Sequence, residues 1–90
     1  MPEQLLFKPA GIPARQLDII ALEDDELEAL RLADYESLYH EDAAKKMGIS
    51  RQTFGRILQQ ARYKMSASVI EKKAIEIGPG NKKDKENTAR

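Results

Sequence analysis

The tripeptide Gly48-Ile49-Ser50 separates two amphipathic stretches, and it restricts the possible fold more than any other feature of the chain. Glycine adopts the left-handed backbone conformation at little steric cost, so Gly48 is suited to end a helix. Ser50 is a preferred N-cap, whose hydroxyl can accept a hydrogen bond from a backbone N–H two or three residues later. The pattern therefore predicts a short helix, a tight turn and a longer helix between about residues 39 and 65.

The longer helix carries apolar residues at helical spacing, which predicts one buried face. The members of this stripe are Phe54, Ile57, Leu58, Ala61 and Met65. Val69 and Ile70 can continue the stripe, so we expect the helix to extend to about Lys72. We expect the core of the two-helix motif to consist of Ala44, Gly48, Ile49, Phe54, Ile57 and Leu58.

The opposite face of the longer helix consists of hydrogen-bond donors, namely Arg51, Gln52, Arg56, Gln59 and Gln60. In a helix-turn-helix, the second helix lies in the major groove with its N-terminal residues at base edges. Arginine can pair bidentately with guanine, and glutamine with adenine. We therefore expect base reading by Arg51, Gln52, Arg56 and Gln59, with phosphate contacts from Lys45, Lys46, Arg62 and Lys64. The plainer interpretation is a solvated face of a surface helix.

Charge is divided along the chain, although 15 basic and 15 acidic residues give a formal net charge of zero. Residues 1–44 hold three basic and 11 acidic residues, a charge of −8. Residues 45–90 hold 12 basic and four acidic residues, a charge of +8. Such asymmetry is typical of a nucleic-acid-binding surface, and it also fits a solvated acidic helix beside a basic tail.

The composition argues against several classes of function. The chain has no cysteine and one histidine, so it has no disulfide framework, thiol nucleophile or zinc-finger ligand set. We therefore expect neither an enzyme nor a metal or cofactor. The acids from Glu23 to Glu26 complement a helix dipole, and side chains on one helical turn splay apart rather than converge on a cation. No apolar run approaches the ~20 residues of a membrane span, and the start lacks a signal peptide, so we expect a cytoplasmic location.

A helix is predicted from Glu23 to about Ser37. We expect one buried face made by Leu27, Leu30, Ala33 and Leu38, and a second contact made by Leu32, Tyr35 and Tyr39.

The next helix, from about Glu41 to Met47, lacks a good N-cap, since Tyr39 or His40 stands where serine, threonine or aspartate is preferred. Gly55 is unusual, because glycine in a helix interior costs roughly 1 kcal/mol relative to alanine. It is explained equally well by close approach to DNA and by tight packing on the Tyr39 side.

Short apolar runs at Leu5 to Phe7 and Ala74 to Ile77 predict two strands, which could pair within one chain or between two, so a homodimer is a hypothesis. The cluster from Leu17 to Leu22 fits either a helical turn or extended packing. We predict an all-α fold, a small helical bundle with short terminal strands. A single domain would span residues 1–78, followed by a polar, disordered tail at 79–90.

Two longer patterns carry a family resemblance. The run I-x-L-x-x-D-E-L-E-A-L-R-L-A-D-Y-E-S-L is followed by A-A-x-x-M-G-I-S-R-Q-T-F-G-R-I-L-x-x-A-R. Together they resemble domain-of-unknown-function family 134, a prokaryotic family of predicted DNA-binding proteins, and more distantly the fourth region of sigma factors. The match covers about Phe7 to Ile77, and Tyr39 departs from the serine that usually caps the first helix of the motif.

The resemblance implies an all-α fold with a sigma-factor-like helix-turn-helix and a role in transcription regulation. Carried over by position, it implies that the residues facing DNA are Ser50, Arg51, Gln52, Thr53, Arg56 and Gln59. The leading hypothesis is sequence-specific binding of double-stranded DNA, with a recognition helix at about 51–65. The alternative is a protein-interaction module that uses the acidic helix at about 24–37, with the helix-turn-helix as scaffold.

Overall fold

Three helices and three short strands make up residues 5–78, the part of the chain that a computed structural model describes. In chain order the elements are β1 (Leu5–Phe7), β2 (Ile19–Leu22), α1 (Asp24–Leu30), α2 (His40–Met47), α3 (Arg51–Glu71) and β3 (Ala74–Ile77). These residues form two compact units, one of residues 25–63 and one of residues 5–24 with 64–78. The tail at 79–90, which we expect to be disordered, lies outside the described residues.

The turn between α2 and α3 begins at Gly48, which is left-handed with φ 71° and ψ 31°. Its N–H donates to the Lys45 carbonyl at 3.1 Å, and the Ile49 N–H donates to the Ala44 carbonyl at 3.1 Å. These two bonds form a Schellman motif, which satisfies carbonyls that the helix end leaves unpaired. The prediction that Gly48 ends the first helix is confirmed.

Helix α3 starts with the expected cap. The Ser50 hydroxyl accepts a hydrogen bond from the Thr53 N–H at 3.1 Å, and the Ser50 carbonyl accepts from the Phe54 N–H at 2.9 Å. Helix α2 starts without one, because Tyr39 has the extended backbone of an N-cap residue but its side chain makes no cap bond. Both expectations about the caps are therefore confirmed.

Replacing Gly48 with alanine should lower the free energy of unfolding by about 1–2 kcal/mol, the cost of holding an L-residue in the left-handed conformation. A Cβ at this position would meet no atom within 4 Å, so the loss comes from the backbone and not from a clash. Gly48→Asn is the matched control, because asparagine tolerates the conformation and should lose less. Urea unfolding measures both variants, and equal losses would contradict the backbone explanation.

The core of the unit of residues 25–63 joins all three helices. Its buried members are Ala29, Leu32, Ala43, Ala44, Phe54 and Leu58. Partly buried apolar residues pack around them, namely Leu30, Ala33, Leu38, Met47, Ile49 and Ile57. The expected motif core is confirmed in its apolar members. Gly48 differs because it is exposed, and it contributes its backbone conformation rather than packing.

Helix α1 continues into a π-helical turn at Arg31–Tyr35, so the predicted helix to about Ser37 is approximately right. Its predicted faces are partly wrong. Leu27 is 40% exposed, whereas Ala29 and Leu32 are buried. The buried charge of Glu26, which shares this face, concealed the true stripe in the sequence.

The second contact predicted for Tyr35 and Tyr39 is also wrong, because these rings are 84% and 81% exposed. A π turn inserts one residue relative to α-helical spacing, so it rotates the residues that follow it by about 100°. Leu32 lies inside this turn and remains in the core. Tyr35 is the last residue of this turn and Tyr39 lies in the non-helical segment before α2, so an α-helical periodicity extrapolated to them assigns the wrong face.

A three-stranded sheet has β3 at its centre, antiparallel to β1 and parallel to β2. Leu5 is opposite Ile77, and Ile19 is opposite Ala74. The two predicted strands are confirmed and pair within one chain, which removes the unpaired strands that suggested a dimer. The cluster before α1 is extended, so the fold is mostly helical with a small sheet rather than all-α.

The last third of α3 does not continue the predicted apolar stripe. Met65, Val69 and Ile70 are 40%, 75% and 72% exposed, so their predicted burial is wrong, whereas Ala61 and Ala67 are buried. Among residues 5–78, no helix combines the length and the apolar character needed to cross a membrane.

Contacts within the unit that contains the sheet explain why these apolar residues of α3 are exposed. The Lys64 ammonium donates to the Ala21 carbonyl of β2 at 2.7 Å. The Ser68 hydroxyl, one turn later, donates to the Lys73 carbonyl at 2.8 Å. Because buried polar backbone groups need partners, polar side chains occupy the inner face of α3 here and the neighbouring apolar residues point outward.

Candidate nucleic-acid interface

The first half of α3 presents the polar face that the sequence predicts. Arg51, Gln52, Arg56 and Gln59 are all exposed. At 100° per residue, these four positions fall within an arc of about 140° around the helix axis. No hydrogen bond or ion pair within residues 5–78 engages either arginine, so both guanidinium groups can bind a ligand.

The opposite side of the same helix half is anchored in the core. Phe54 and Leu58 have relative exposures of 0% and 1%. The His40 ring of α2 meets the Phe54 ring edge to face, with centroids 5.3 Å apart. The polar face therefore belongs to a helix whose rotation is set by close packing.

Ser50 and Thr53, which the family resemblance places at the DNA, use their polar groups locally. The Ser50 hydroxyl accepts from the Thr53 N–H and donates to the Thr53 hydroxyl at 3.0 Å. This cap sets the direction in which α3 begins. Each hydroxyl still has acceptor capacity, so base contact by the two residues stays a prediction.

Lys45 and Lys46 are exposed in the last turn of α2, directly before the turn at Gly48. Cations at a helix C-terminus complement the helix dipole, which explains their local placement. No intramolecular hydrogen bond or ion pair within the described residues engages their ammonium groups. Among the four predicted phosphate-contact residues, these two have charges that no side chain within residues 5–78 engages.

Arg62, the third predicted phosphate contact, forms two hydrogen bonds with Asp34 of the π turn, at 3.1 and 2.6 Å. The bonds from the guanidinium lower the pKa of the Asp34 carboxyl and raise the pKa of Arg62. Lys64, the fourth, is half-buried and donates to the backbone of β2. Arg62 keeps further donors for a phosphate, whereas the ammonium of Lys64 is directed at the protein.

Acidic residues of α1 and of the segment after it also form ion pairs with an arginine side chain. Arg31 donates to Glu28 at 2.7 Å and forms a second ion pair with Glu36. These hydrogen bonds lower the pKa of Glu28 and raise the pKa of Arg31. All three side chains are well exposed, so such pairs contribute little to stability. Part of the acidic character of this helix is thereby neutralised locally.

A shallow depression on α3 is lined by Arg56, Gln59, Gln60 and Tyr63. It is open to solvent, which suits a large surface partner better than a small enclosed ligand. Within residues 5–78, acidic and histidine side chains nowhere gather in threes in a way that could hold a metal ion.

The ion pair between Asp34 and Arg62 was not predicted from the sequence. The two residues are 28 positions apart and belong to different elements. No periodicity or spacing rule links such positions, because the contact depends on how the π turn and α3 pack. Residue charge alone assigned Arg62 to the group of phosphate contacts.

Comparisons with known proteins place the chain in a family. The family model described as "Protein of unknown function DUF134" matches residues 1–85. A UPF0251 protein of Vibrio vulnificus strain YJ016 is 52% identical over 89 residues, which cover 99% of this chain and 88% of the relative. A UPF0251 protein of Methanococcus vannielii is 51% identical over 79 residues, covering 88% of this chain and 61% of the relative.

A third relative, a UPF0251 protein of Prosthecochloris aestuarii, is 49% identical over 80 residues, which cover 89% of this chain and 52% of the relative. No solved structure is significantly similar to the chain. The family match covers nearly the whole sequence, and the relatives are about half identical to it. These findings confirm the resemblance to family 134 that the residue patterns indicated. The chain belongs to the DUF134 family of proteins of unknown function.

Proposed function

We propose that this protein binds double-stranded DNA in a sequence-specific manner, with the first half of α3 in the major groove, and that it regulates transcription. The observation that carries the proposal is the exposed face of Arg51, Gln52, Arg56 and Gln59 on a helix that is capped and anchored. Both side-chain types can bind a purine edge bidentately, arginine with two donors to guanine and glutamine with one donor and one acceptor to adenine. In this proposal α2, the Gly48 turn and α3 act as a helix-turn-helix.

Electrostatics support the same orientation. The first turn of α3 contains no acidic residue, so the positive end of its dipole is not neutralised by a carboxylate of that turn. Lys45 and Lys46 lie just before this end and supply two charges for the phosphate backbone. The acidic side chains of α1 and the π turn are partly engaged by Arg31 and Arg62, which reduces their repulsion of DNA.

A gel-shift titration of the full-length protein on random duplex DNA across a salt series tests the proposal. Each phosphate contact should contribute about −0.9 to the slope of log K against log salt concentration. Steep loss of binding with salt is expected. Absence of binding at the lowest salt concentration would contradict the proposal.

Replacing Lys46 with alanine should weaken binding to all sequences alike and make the salt slope shallower by about 1. The reason is that its exposed ammonium would neutralise one phosphate. The matched control is Arg15→Ala, which removes the same charge from an exposed position in the other unit. An identical change of slope in both variants would show that net charge, rather than a contact at the end of α2, controls binding.

A protein-interaction module is the second candidate, and one observation favours it. Tyr35 and Tyr39 are exposed next to the acidic segment, and exposed aromatic rings are enriched at protein interfaces. In this alternative the two helices at the Gly48 turn are a scaffold. The same salt series separates the candidates, because a protein-interaction module should bind no duplex DNA at any salt concentration.

A further inference from the structure

Gly55 lies in the part of α3 where a helix-forming residue would serve the fold better. It is the fifth residue of a 21-residue helix and has no left-handed backbone angle that would require glycine. Glycine in a helix interior is less favourable than alanine, because its backbone loses more conformational freedom. Glycine at this position therefore makes the fold less stable than alanine would.

Packing does not explain this cost. A Cβ added to Gly55 would meet no atom within 4 Å, so the neighbouring side chains leave room for alanine. The sequence also allowed an explanation by tight packing on the Tyr39 side, but Tyr39 is 81% exposed. The packing explanation is wrong, and nothing within residues 5–78 requires a glycine here.

The position of Gly55 on the helix suggests the explanation. Residues three before and four after a helical position lie on the same face, so Gly55 lies between Gln52 and Gln59. Arg51 lies one turn before it on the adjoining part of the face. Gly55 is thus a gap without a side chain in the middle of the polar face of α3.

We infer that Gly55 is the point of closest approach between α3 and the DNA, where the missing side chain lets the helix backbone enter the major groove deeply enough for its neighbours to reach base edges. This inference rests on the proposed function and adds a specificity-determining position to it. In other proteins, glycine occurs where the backbone must come close to a ligand. The helix loses stability at Gly55, and the interface gains depth.

The test compares wild type with Gly55→Ala in two measurements, thermal unfolding and affinity for a duplex site selected from a random pool. Gly55→Ala should raise the midpoint of unfolding by roughly 4–8 °C, the shift typical of one such helix substitution in a domain of this size. Its affinity for the selected site should fall by about tenfold or more, because the added methyl group overfills the contact. Stability and DNA affinity should therefore change in opposite directions.

Ser66→Ala is the matched control, since it also adds helix propensity at an exposed position of α3 but lies three turns beyond Gly55. It should keep the wild-type affinity. Wild-type affinity in Gly55→Ala, with wild type itself binding DNA, would overturn the inference alone. A lower midpoint of unfolding in Gly55→Ala would also overturn it, because the fold would then need the glycine. Failure of wild type to bind any duplex would remove both the inference and the proposed function.

Discussion

Replacing Phe54 with alanine is expected to lower the free energy of unfolding by about 3–5 kcal/mol, as for other fully buried aromatic residues. Phe54 has a relative exposure of 0% and packs in the cluster that joins α1, α2 and α3. Its ring also meets the His40 ring edge to face. Small domains are stable by only about 5–15 kcal/mol in total, so this loss would leave a large fraction of molecules unfolded on mild heating.

Urea unfolding followed by circular dichroism measures this loss. The control is Tyr63→Ala, which removes an aromatic ring from the same helix, where it is 63% exposed. An exposed substitution of this kind should change the free energy of unfolding by less than about 0.5 kcal/mol. Similar losses for the two variants would contradict the assignment of Phe54 to the core and of the opposite face to solvent.

Replacing Arg51 or Arg56 with alanine should reduce affinity for the preferred DNA site by about 5- to 150-fold, equivalent to about 1–3 kcal/mol. Each guanidinium is exposed and has no partner within residues 5–78, so its removal breaks no bond of the fold. The loss should fall on the preferred sequence, because a bidentate contact discriminates between bases. Affinity for random duplex DNA should fall much less, by the share that one positive charge contributes.

The measurement is a pair of titrations for each variant at one salt concentration, one on a selected site and one on random duplex. Arg15→Ala again serves as the control of equal charge, and it should change both affinities alike and only slightly. The recognition helix would be wrongly assigned if Arg51→Ala and Arg56→Ala bound the selected site as tightly as wild type. Thermal unfolding of each variant checks that the fold is retained.

Local signals in the sequence were sufficient for the elements around Gly48. The glycine, the Ser50 cap and the missing cap at Tyr39 each act through hydrogen bonds within a few residues, and the structure confirms all three. The core positions Phe54 and Leu58 were also predictable, because helical spacing keeps them on one face. Membership of the DUF134 family was likewise readable from the two sequence patterns.

Spacing failed where the helical geometry or the packing partner changed. The buried Glu26 concealed the true stripe of α1, so Leu27 was assigned to the wrong side, and the π turn at Arg31–Tyr35 ended the α-helical register from which the tyrosines were assigned. Helix α3 changes its buried face where it meets the sheet, so Val69 is exposed although it continues the stripe. Neither change has a marker in the amino-acid sequence.

The sequence alone thus determined the helix-forming segments, the turn between α2 and α3 and the polar face of α3, because caps, glycine conformation and periodicity act over neighbouring residues. Only the tertiary structure decided that β2 joins β3 in a sheet and that Arg62 pairs with Asp34, since these contacts link residues far apart in the chain. It also excluded one explanation of Gly55. Two explanations fitted the sequence equally, and the open space around its Cα excludes the one based on packing.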